Sequence, residues 1–174
     1  MKDKFIDVTF EKLEKDDRSG VAEMSALATS IIRDYYDPIL GSAQNDYMLE
    51  MFQSERSILE QLDHGANYYF IRCEGRTVGF LAFYLKKDHL YLSKFYIEAV
   101  SRGRGAGTET LRFLKGEANK AGVSSIRLNV NKNNLASIGY YEAAGFIRIR
   151  SEINDIGGGF FMDDHVYSLD IAND

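Results

Sequence analysis

A short segment in the second half of the chain combines glycines with basic side chains. Residues 102–107 read Arg-Gly-Arg-Gly-Ala-Gly and lie between a predicted strand and a predicted helix. Glycines permit a positive φ and close approach of the backbone, so successive N–H groups can turn toward one anion. The N-terminus of the following helix adds a favourable dipole for phosphate. The segment therefore indicates a phosphate site; the alternative is a glycine-rich turn with exposed arginines.

The charge around this segment favours the anion site. Residues 102–115 hold four basic side chains and one acidic one, whereas the whole chain has a formal charge of −5. Two other phosphate motifs fit worse. A Walker A loop needs Lys-Ser/Thr after its last glycine, but Gly107 is followed by Thr108 and Glu109, and a dinucleotide fingerprint needs G-x-G-x-x-G.

A second segment, residues 134–146, has its own pattern. Asn134 can cap a helix, and Ser137 and Tyr141 then lie one turn apart on one face of that helix. A tyrosine there can present its hydroxyl to a site. The alternative is an amphipathic helix with a packed tyrosine, ended by Gly145.

Together the two segments resemble the GNAT acyltransferase superfamily. That family's loop reads R/Q-x-x-G-x-G/A, which Arg102, Gly105 and Gly107 match. Its later segment reads N-x-x-A/S-x-x-x-Y-E-x-x-G-F, and the matching residues are Asn134, Ser137, Tyr141, Glu142, Gly145 and Phe146. The preceding strand ends in Tyr96-Ile97, as in the family's Y-V-x-P-x-x-R pattern, except that Ala99 replaces the proline. The resemblance covers roughly residues 68–170.

This resemblance implies an N-acetyltransferase that uses acetyl-CoA, needs no metal and lets an amine attack the thioester directly. It implies that backbone groups of Phe95, Tyr96 and Ile97 pair with the pantetheine arm. Tyr141 would protonate the departing thiolate. Asn134 and Ser137 would contact the cofactor, unless Asn134 only orders the helix start. The pyrophosphate would bind the loop residues Arg102, Gly103, Arg104, Gly105, Ala106, Gly107 and Thr108.

The attacking amine must be neutral, so a base or a water relay is expected. Glu98 is the first candidate because it lies beside the cofactor strand. The weaker candidates are Tyr91, His89 and Lys94 on that strand and the more remote His165. Lys94 is expected to be a solvated charge. Cys73 lies in an apolar strand and is expected to be a core thiol.

In the family the N-terminal helices and the last hairpin usually select the acceptor. Here those segments carry aromatic and acidic residues: Tyr35, Tyr36, Tyr47, Met48, Glu50, Asp163 and Asp164. Such groups would suit a cationic amine, for example a polyamine or a lysine-like side chain. The alternative is that the aromatics are core residues and the acids are solvated.

Hydrophobic periodicity predicts the elements that must position these residues. The predicted strands are 5–13, 68–73, 77–85, 89–97, 125–130, 146–153 and 160–171. The predicted helices begin at an Asp17 or Ser19 cap, after Gly41, at Ser54, after the glycine loop and at Leu135. The first helix should end near Tyr36 because Pro38 disfavours a helical Asp37. This order predicts one α+β domain, residues 1–174, with a mixed, mostly antiparallel central sheet flanked by helices.

Bulk properties limit the function classes. The acidic chain argues against nucleic-acid binding, which depends on phosphate neutralisation. The single cysteine, the lack of an apolar leader and the short apolar runs predict a cytoplasmic protein without a membrane partner. The expected partners are acetyl-CoA and an amine acceptor, and the final hairpin leaves a homodimer open. A non-catalytic acyl-CoA-sensing module is the alternative to an enzyme.

Overall fold

A computed structural model describes residues 3–5 and 7–171 of the chain. Its strands are β1 (Val8–Lys12), β2 (Asn67–Cys73), β3 (Arg76–Leu85), β4 (His89–Ile97), β5 (Ser125–Asn131), β6 (Ile147–Gly157) and β7 (Phe160–Asp170). Its helices are α1 (Arg18–Leu40), α2 (Ser42–Gln53), α3 (Glu55–Asp63), α4 (Ala106–Ala121) and α5 (Leu135–Ala143), with one 3₁₀ turn over Ala99–Ser101. The described strands form one sheet in the order β1-β2-β3-β4-β5-β7-β6.

This sheet confirms the predicted fold class. The pairs β1–β2, β2–β3, β5–β7 and β6–β7 are antiparallel, whereas β4 runs parallel to β5 over His89–Leu92. The chain divides into two compact units: residues up to 84 with 94–113, and residues 85–93 with those from 114 onward. The single domain over residues 1–174 stays a prediction. Among the described residues, no helix has the length and apolarity needed to span a membrane.

In the first unit, α1 begins at Asp17, one of the two predicted caps. The side chain of Asp17 accepts a hydrogen bond from the Gly20 N–H at 2.9 Å, which satisfies one donor of the first turn. The buried residues of α1 recur at helical spacing: Gly20, Val21, Met24, Ala28, Ile31, Ile32 and Tyr36. This stripe forms a hydrophobic core with Leu49 of α2, Ile58 of α3 and alternate residues of β2 and β3.

The predicted end of α1 near Tyr36 is wrong, because the helix continues through Pro38 to Leu40. Its last turn is held from α2: Asn45 donates to the Asp37 carboxylate at 2.7 Å and to the Ile32 carbonyl at 3.3 Å. The Gly41 N–H closes the helix on the Asp37 carbonyl at 3.0 Å. These contacts offset the hydrogen bond that proline removes.

Helix α2 buries a different face from the one that its apolar residues suggest. The sequence places Tyr47, Met48, Met51 and Phe52 on one face, but the buried residues are Asn45, Leu49 and Gln53. Met51 and Phe52 are exposed. The Ser54 cap of α3 is confirmed, since its hydroxyl accepts from the Ser57 N–H at 3.2 Å.

The second unit contains the antiparallel strands β5, β7 and β6 together with α5. Strand β6 differs from its prediction mainly by extending to Gly157. Strand β1, which belongs to the first unit, is shorter than the predicted residues 5–13, of which Ile6 lies outside the described residues. Helix α5 contacts β7 through Glu142, whose carboxylate accepts from the Tyr167 hydroxyl at 2.8 Å. Tyr167 is 1% exposed, so this hydrogen bond fixes α5 on one face of β7.

Candidate functional site

The end of β4 lies very close to β3 in the first unit. A Cβ atom at Gly79 would lie 2.2 Å from the carbonyl oxygen of Tyr96, so only glycine fits there without a shift of the backbone. The Glu98 N–H donates to the Val78 carbonyl at 2.9 Å. The Tyr96 ring packs against Tyr36 and Phe80. The backbone of Phe95, Tyr96 and Ile97 is therefore held in a fixed position.

The loop after this strand has the backbone conformation that the sequence predicts. Gly103 and Gly105 have φ values of 74° and 94°, which favour glycine strongly. Helix α4 begins directly afterwards at Ala106, and the Glu109 N–H closes its first turn on the Gly105 carbonyl at 3.1 Å. The N–H groups of Ala106, Gly107 and Thr108 have no acceptor within the helix, as at any helix N-terminus. Positive-φ glycines and this helix end fit a phosphate group.

The two arginines of the loop contact the protein itself. Arg102 donates from Nε to the Ile97 carbonyl at 2.8 Å, and its guanidinium lies 4.9 Å from the centre of the Tyr35 ring. Arg104 donates from Nε to the Asp3 carbonyl at 2.8 Å and lies 3.8 Å from the centre of the Phe5 ring. Arg102 thus joins the loop to the end of β4, and Arg104 joins it to the N-terminal segment. Because both arginines contact the protein, the backbone N–H groups of the loop are the more direct source of phosphate contacts.

Glu98, the first candidate for the base, is partly buried and already paired. Its Oε1 accepts from Arg76 and from the Ser101 hydroxyl, each at 2.6 Å, and Arg76 also donates to Ser101 at 3.0 Å. A proton from an amine would therefore have to reach the other carboxylate oxygen, Oε2. The role of Glu98 stays a prediction.

Lys94 is not the solvated charge that the sequence suggests. Its ammonium donates to Gln61 Oε1 at 2.6 Å and lies 5.2 Å from the centre of the Tyr68 ring. The Tyr68 hydroxyl donates to the same Gln61 oxygen at 2.9 Å. Burial lowers the pKa of Lys94 to about 8, and burial raises the pKa of Tyr68 above its ordinary value. The strand alternation that puts Tyr96 toward α1 puts Lys94 on the same face.

The remaining candidates have local partners. His89 pairs with Asp88 at 2.7 Å, and the ring of His165 contacts the Ser151 hydroxyl at 2.7 Å. Cys73 is 2% exposed, and burial raises the pKa of its thiol, so it is a core thiol as predicted. Tyr91 is partly buried in β4.

In the second unit, α5 positions the residues of the second motif. The side chain of Asn134 accepts from the Ser137 N–H at 3.2 Å, and Asn134 is 3% exposed, so it caps the helix. Tyr141 is 9% exposed and packs edge-on against Tyr140 and Phe146. Burial raises the pKa of Tyr140 to about 12. The predicted roles of Asn134, Ser137 and Tyr141 in binding and proton transfer stay predictions.

The residues proposed for acceptor selection fall into different environments. Tyr36 is a core residue, and Tyr35, Tyr47 and Met48 are partly buried, whereas Glu50 is exposed. The neighbours Asp163 and Asp164 point to opposite faces of β7. Asp163 forms an ion pair with Lys132, but Asp164 is 5% exposed and its Oδ1 has no hydrogen-bond partner.

Sequence reasoning missed Gly79, Gln61 and Glu152. An isolated glycine in a strand pattern does signal close backbone approach, so Gly79 had a usable signal. Gln61 meets Lys94 across 33 residues, and Glu152 meets Asn129 across 23 residues. Neither pair belongs to a local motif.

Comparison with known proteins gives the family. The model of the "Acetyltransferase (GNAT) family" matches residues 28–146, which is more than half of the chain. No curated protein matches the sequence significantly.

Solved structures with the same fold are distant in sequence. PaiA N-acetyltransferase from Thermoplasma acidophilum, in complex with coenzyme A, is 16% identical with a TM-score of 0.74, covering 95% of this chain and 99% of that one. A GCN5-related N-acetyltransferase from Rhodopseudomonas palustris is 16% identical with a TM-score of 0.76, covering 95% and 97%. The ribosomal-protein-S18-alanine N-acetyltransferase from Escherichia coli is 20% identical with a TM-score of 0.65, covering 95% of each chain.

Proposed function

The chain belongs to the GNAT family of acetyltransferases, and from this premise we propose that it transfers the acetyl group of acetyl-CoA to a primary amine of a small molecule or a peptide. The family and the enzyme class follow from the matched family model, as does the use of acetyl-CoA. The roles of individual residues and the acceptor are the parts that we propose.

One observation carries the cofactor assignment: two positive-φ glycines lead from the end of β4 directly into the N-terminus of α4. A helix N-terminus preceded by a turn of inward N–H groups binds phosphate without a basic side chain. Backbone N–H groups of residues 103–108 would hold the pyrophosphate. Arg102 and Arg104 would support them by fixing the loop and by raising the local positive potential.

The thioester of acetyl-CoA supplies the activated acetyl group. A backbone N–H at Phe95 or Ile97 would donate to the thioester carbonyl, and one such donor contributes about 3 kcal/mol to the transition state. The rigid end of β4, held by the Gly79 contact, would keep this donor in place. Tyr141 would give a proton to the departing thiolate, and Glu98 is the proposed acceptor of the amine proton.

Other properties of the protein remain predictions. The prediction of a cytoplasmic location rests on the single cysteine, which cannot form a disulfide within the chain. The prediction of a homodimer rests on the final hairpin, which β6 and β7 form.

Thermal unfolding with and without acetyl-CoA tests the cofactor assignment without knowledge of the acceptor. At about 100 times its dissociation constant, a ligand stabilises by roughly 2.7 kcal/mol, which is about 5–10 °C in midpoint for a domain of this size. We expect such a shift in the unsubstituted protein and none in Gly105→Glu.

Gly65→Glu is the matched control. Gly65 has a φ of 95° against 94° for Gly105, and a Cβ at either position would meet nothing within 4 Å. Both substitutions therefore impose similar backbone strain, and Gly65→Glu should retain the full shift. No shift in the unsubstituted protein at saturating acetyl-CoA would contradict the proposed function.

A further inference from the structure

The N-terminal segment, residues 3–5, holds Arg104 of the glycine loop through three contacts. The Phe5 N–H donates to the Arg104 carbonyl at 2.9 Å. In the opposite direction, Arg104 Nε donates to the Asp3 carbonyl at 2.8 Å. The Arg104 guanidinium also lies 3.8 Å from the centre of the Phe5 ring. The backbone and the side chain of Arg104 are therefore both held by the same short segment.

The sheet of the first unit anchors the other end of this segment. Val8, the first residue of β1, is in register with Cys73 of β2. Just before it, the Asp7 carbonyl accepts from the Glu74 N–H at 2.9 Å. Because these bonds fix the chain a few residues after Phe5, the segment connects the edge of the sheet to the glycine loop.

The hydrogen bond from Phe5 sets the direction of the next N–H group in the loop. The peptide group that joins Arg104 to Gly105 is planar and trans, so its carbonyl and its N–H point in opposite directions. Since the Arg104 carbonyl is directed at Phe5, the Gly105 N–H is directed away from the N-terminal segment. The proposed function assigns this N–H, with its neighbours in the loop, to the pyrophosphate.

Gly105 is a residue for which such a restraint matters. Glycine rotates about its backbone bonds more freely than other residues, and Gly105 has a φ of 94°. Its own carbonyl accepts from the Glu109 N–H at 3.1 Å in the first turn of α4. The bond from Phe5 holds the peptide group on the other side of Gly105. Both peptide groups are thus held before a ligand arrives, which lowers the cost of ordering the loop on binding.

The Phe5 side chain adds to the restraint from its backbone. A guanidinium over an aromatic ring is attracted to the face of that ring, so the ring also holds Arg104 in place. The two contributions can be separated by substitution. Alanine at position 5 removes the ring and keeps the N–H, whereas proline removes both.

We infer that the N-terminal segment positions the pyrophosphate loop, with Phe5 acting through Arg104 to keep the Gly105 N–H directed at the pyrophosphate. The inference rests on the proposed function, because it takes the glycine loop to bind the pyrophosphate of acetyl-CoA. It makes Phe5 a positioning residue and makes cofactor affinity depend on residues 3–5.

Calorimetric titration of the full chain with CoA tests the inference. We expect the dissociation constant to rise about threefold in Phe5→Ala and roughly tenfold in Phe5→Pro. Phe5→Tyr keeps both the ring and the N–H and should bind CoA as the unsubstituted protein does. Phe52→Ala is the matched control, since Phe52 is 36% exposed in the same unit, and it should leave the constant unchanged.

A double-mutant cycle shows whether Phe5 acts through Arg104. In an Arg104→Ala background the ring contact is already lost, so Phe5→Ala should change the constant by less than about 1.5-fold. A threefold loss in both backgrounds would overturn the inference. If Phe5→Pro does not fold, Phe5→Ala and this cycle carry the test.

Thermal unfolding without ligand separates positioning from a general effect on stability. The midpoints of Phe5→Ala and Phe52→Ala should agree within about 2 °C, although only Phe5→Ala binds CoA more weakly. A lower midpoint in Phe5→Ala, with no recovery of CoA affinity in Phe5→Tyr, would show a structural role only and overturn the inference.

A second ligand identifies the group on which the segment acts. Dephospho-CoA keeps the pyrophosphate of CoA and lacks the phosphate on the ribose. The loss of affinity in Phe5→Ala should therefore be the same for CoA and dephospho-CoA. A loss confined to CoA would assign the segment to the ribose phosphate and contradict the inference.

The unsubstituted protein separates the two possible failures. If it does not bind CoA at all, the proposed function has failed and the inference fails with it. If it binds CoA, but Phe5→Ala and Phe5→Pro bind CoA equally tightly, the inference about the N-terminal segment is overturned and the proposed function stands.

Discussion

The guanidinium of Arg102 donates to the carbonyl oxygen of Ile97 at 2.8 Å, five residues earlier in the chain. This bond closes the segment between the end of β4 and the glycine loop into a small ring. The Tyr35 ring covers the guanidinium from α1. A matched family position thus contacts the protein itself and shapes the loop.

Replacing Arg102 should therefore weaken the cofactor site by loosening the loop. Arg102→Ala loses a charged hydrogen bond and the contact with Tyr35. Hydrogen bonds of charged groups contribute about 1.5–3 kcal/mol, so we expect the acetyl-CoA dissociation constant to rise roughly tenfold, as measured by calorimetry. Arg56→Ala removes an exposed arginine paired with Glu60 and should leave the constant unchanged. Equal constants for both variants would contradict the role given to Arg102.

Tyr141→Phe tests the proposed proton donor. Loss of a general acid lowers turnover by about 10²–10⁴, and we expect kcat to fall within that range while acetyl-CoA affinity changes less than twofold. Tyr140→Phe is the control, because Tyr140 is adjacent on α5 and shares the edge-on contact. A Tyr141→Phe enzyme with normal kcat on an accepted amine would remove the assignment.

Glu98→Gln tests the proposed base. If Oε2 accepts the amine proton, kcat/KM for the acceptor should fall by about 10²-fold near neutral pH, and the loss should shrink as the pH rises and more of the amine is neutral. Glu11→Gln is a suitable control, since Glu11 is also paired with an arginine, Arg72. A constant, small loss across the pH range would indicate that Glu98 only positions Arg76 and Ser101.

We expect Lys94 to make the stability of the protein rise with pH in the alkaline range. Its pKa is about 8 in the folded chain and 10.5 in the unfolded chain, so between these values the unfolded state binds more protons and stability rises with pH. Lys94→Met removes this gain. We expect the midpoint of the unsubstituted protein to rise relative to Lys94→Met by about 3 °C or more between pH 7 and pH 10, at roughly 2–4 °C per kcal/mol.

The exposed Lys120 provides the control for this measurement. Its side chain is 77% exposed and paired with Glu117. Lys120→Met should therefore track the unsubstituted protein across the pH range. A parallel pH dependence in Lys94→Met would show that the buried ammonium is not the source of the effect.

Elements with their own local signals were predictable. Residues within a few positions of each other gave the Ser54 cap, the bounds of β4 and, as one of two candidates, the Asp17 cap. The end of α1 was not predictable, because the contacts that carry it past Pro38 come from Asn45 on the next helix. Propensity gives the local preference, and the packing of α2 overrides it.

The candidate site divides in the same way. The glycine loop and the Tyr141 motif are patterns of residues along the chain, so the family, the fold and the cofactor class could be predicted from the sequence. The environment of each ionisable group was not. The sequence suggests a solvated charge for Lys94, yet its ammonium is buried against Gln61 and Tyr68, whereas the ammonium of Lys120 is exposed.

The amino-acid sequence by itself determined which elements form, where the glycine turn lies and which family the chain resembles, because spacing and glycine conformation are local properties. Only the tertiary structure decided that Asp164 is buried with an unpaired oxygen while Asp163 forms an ion pair. The physical reason is that Asp163 and Asp164 are the same residue type, so their sequence does not show which of the two lies on the covered face of β7. Burial and charge pairing arise only when distant strands and helices cover one face and not the other.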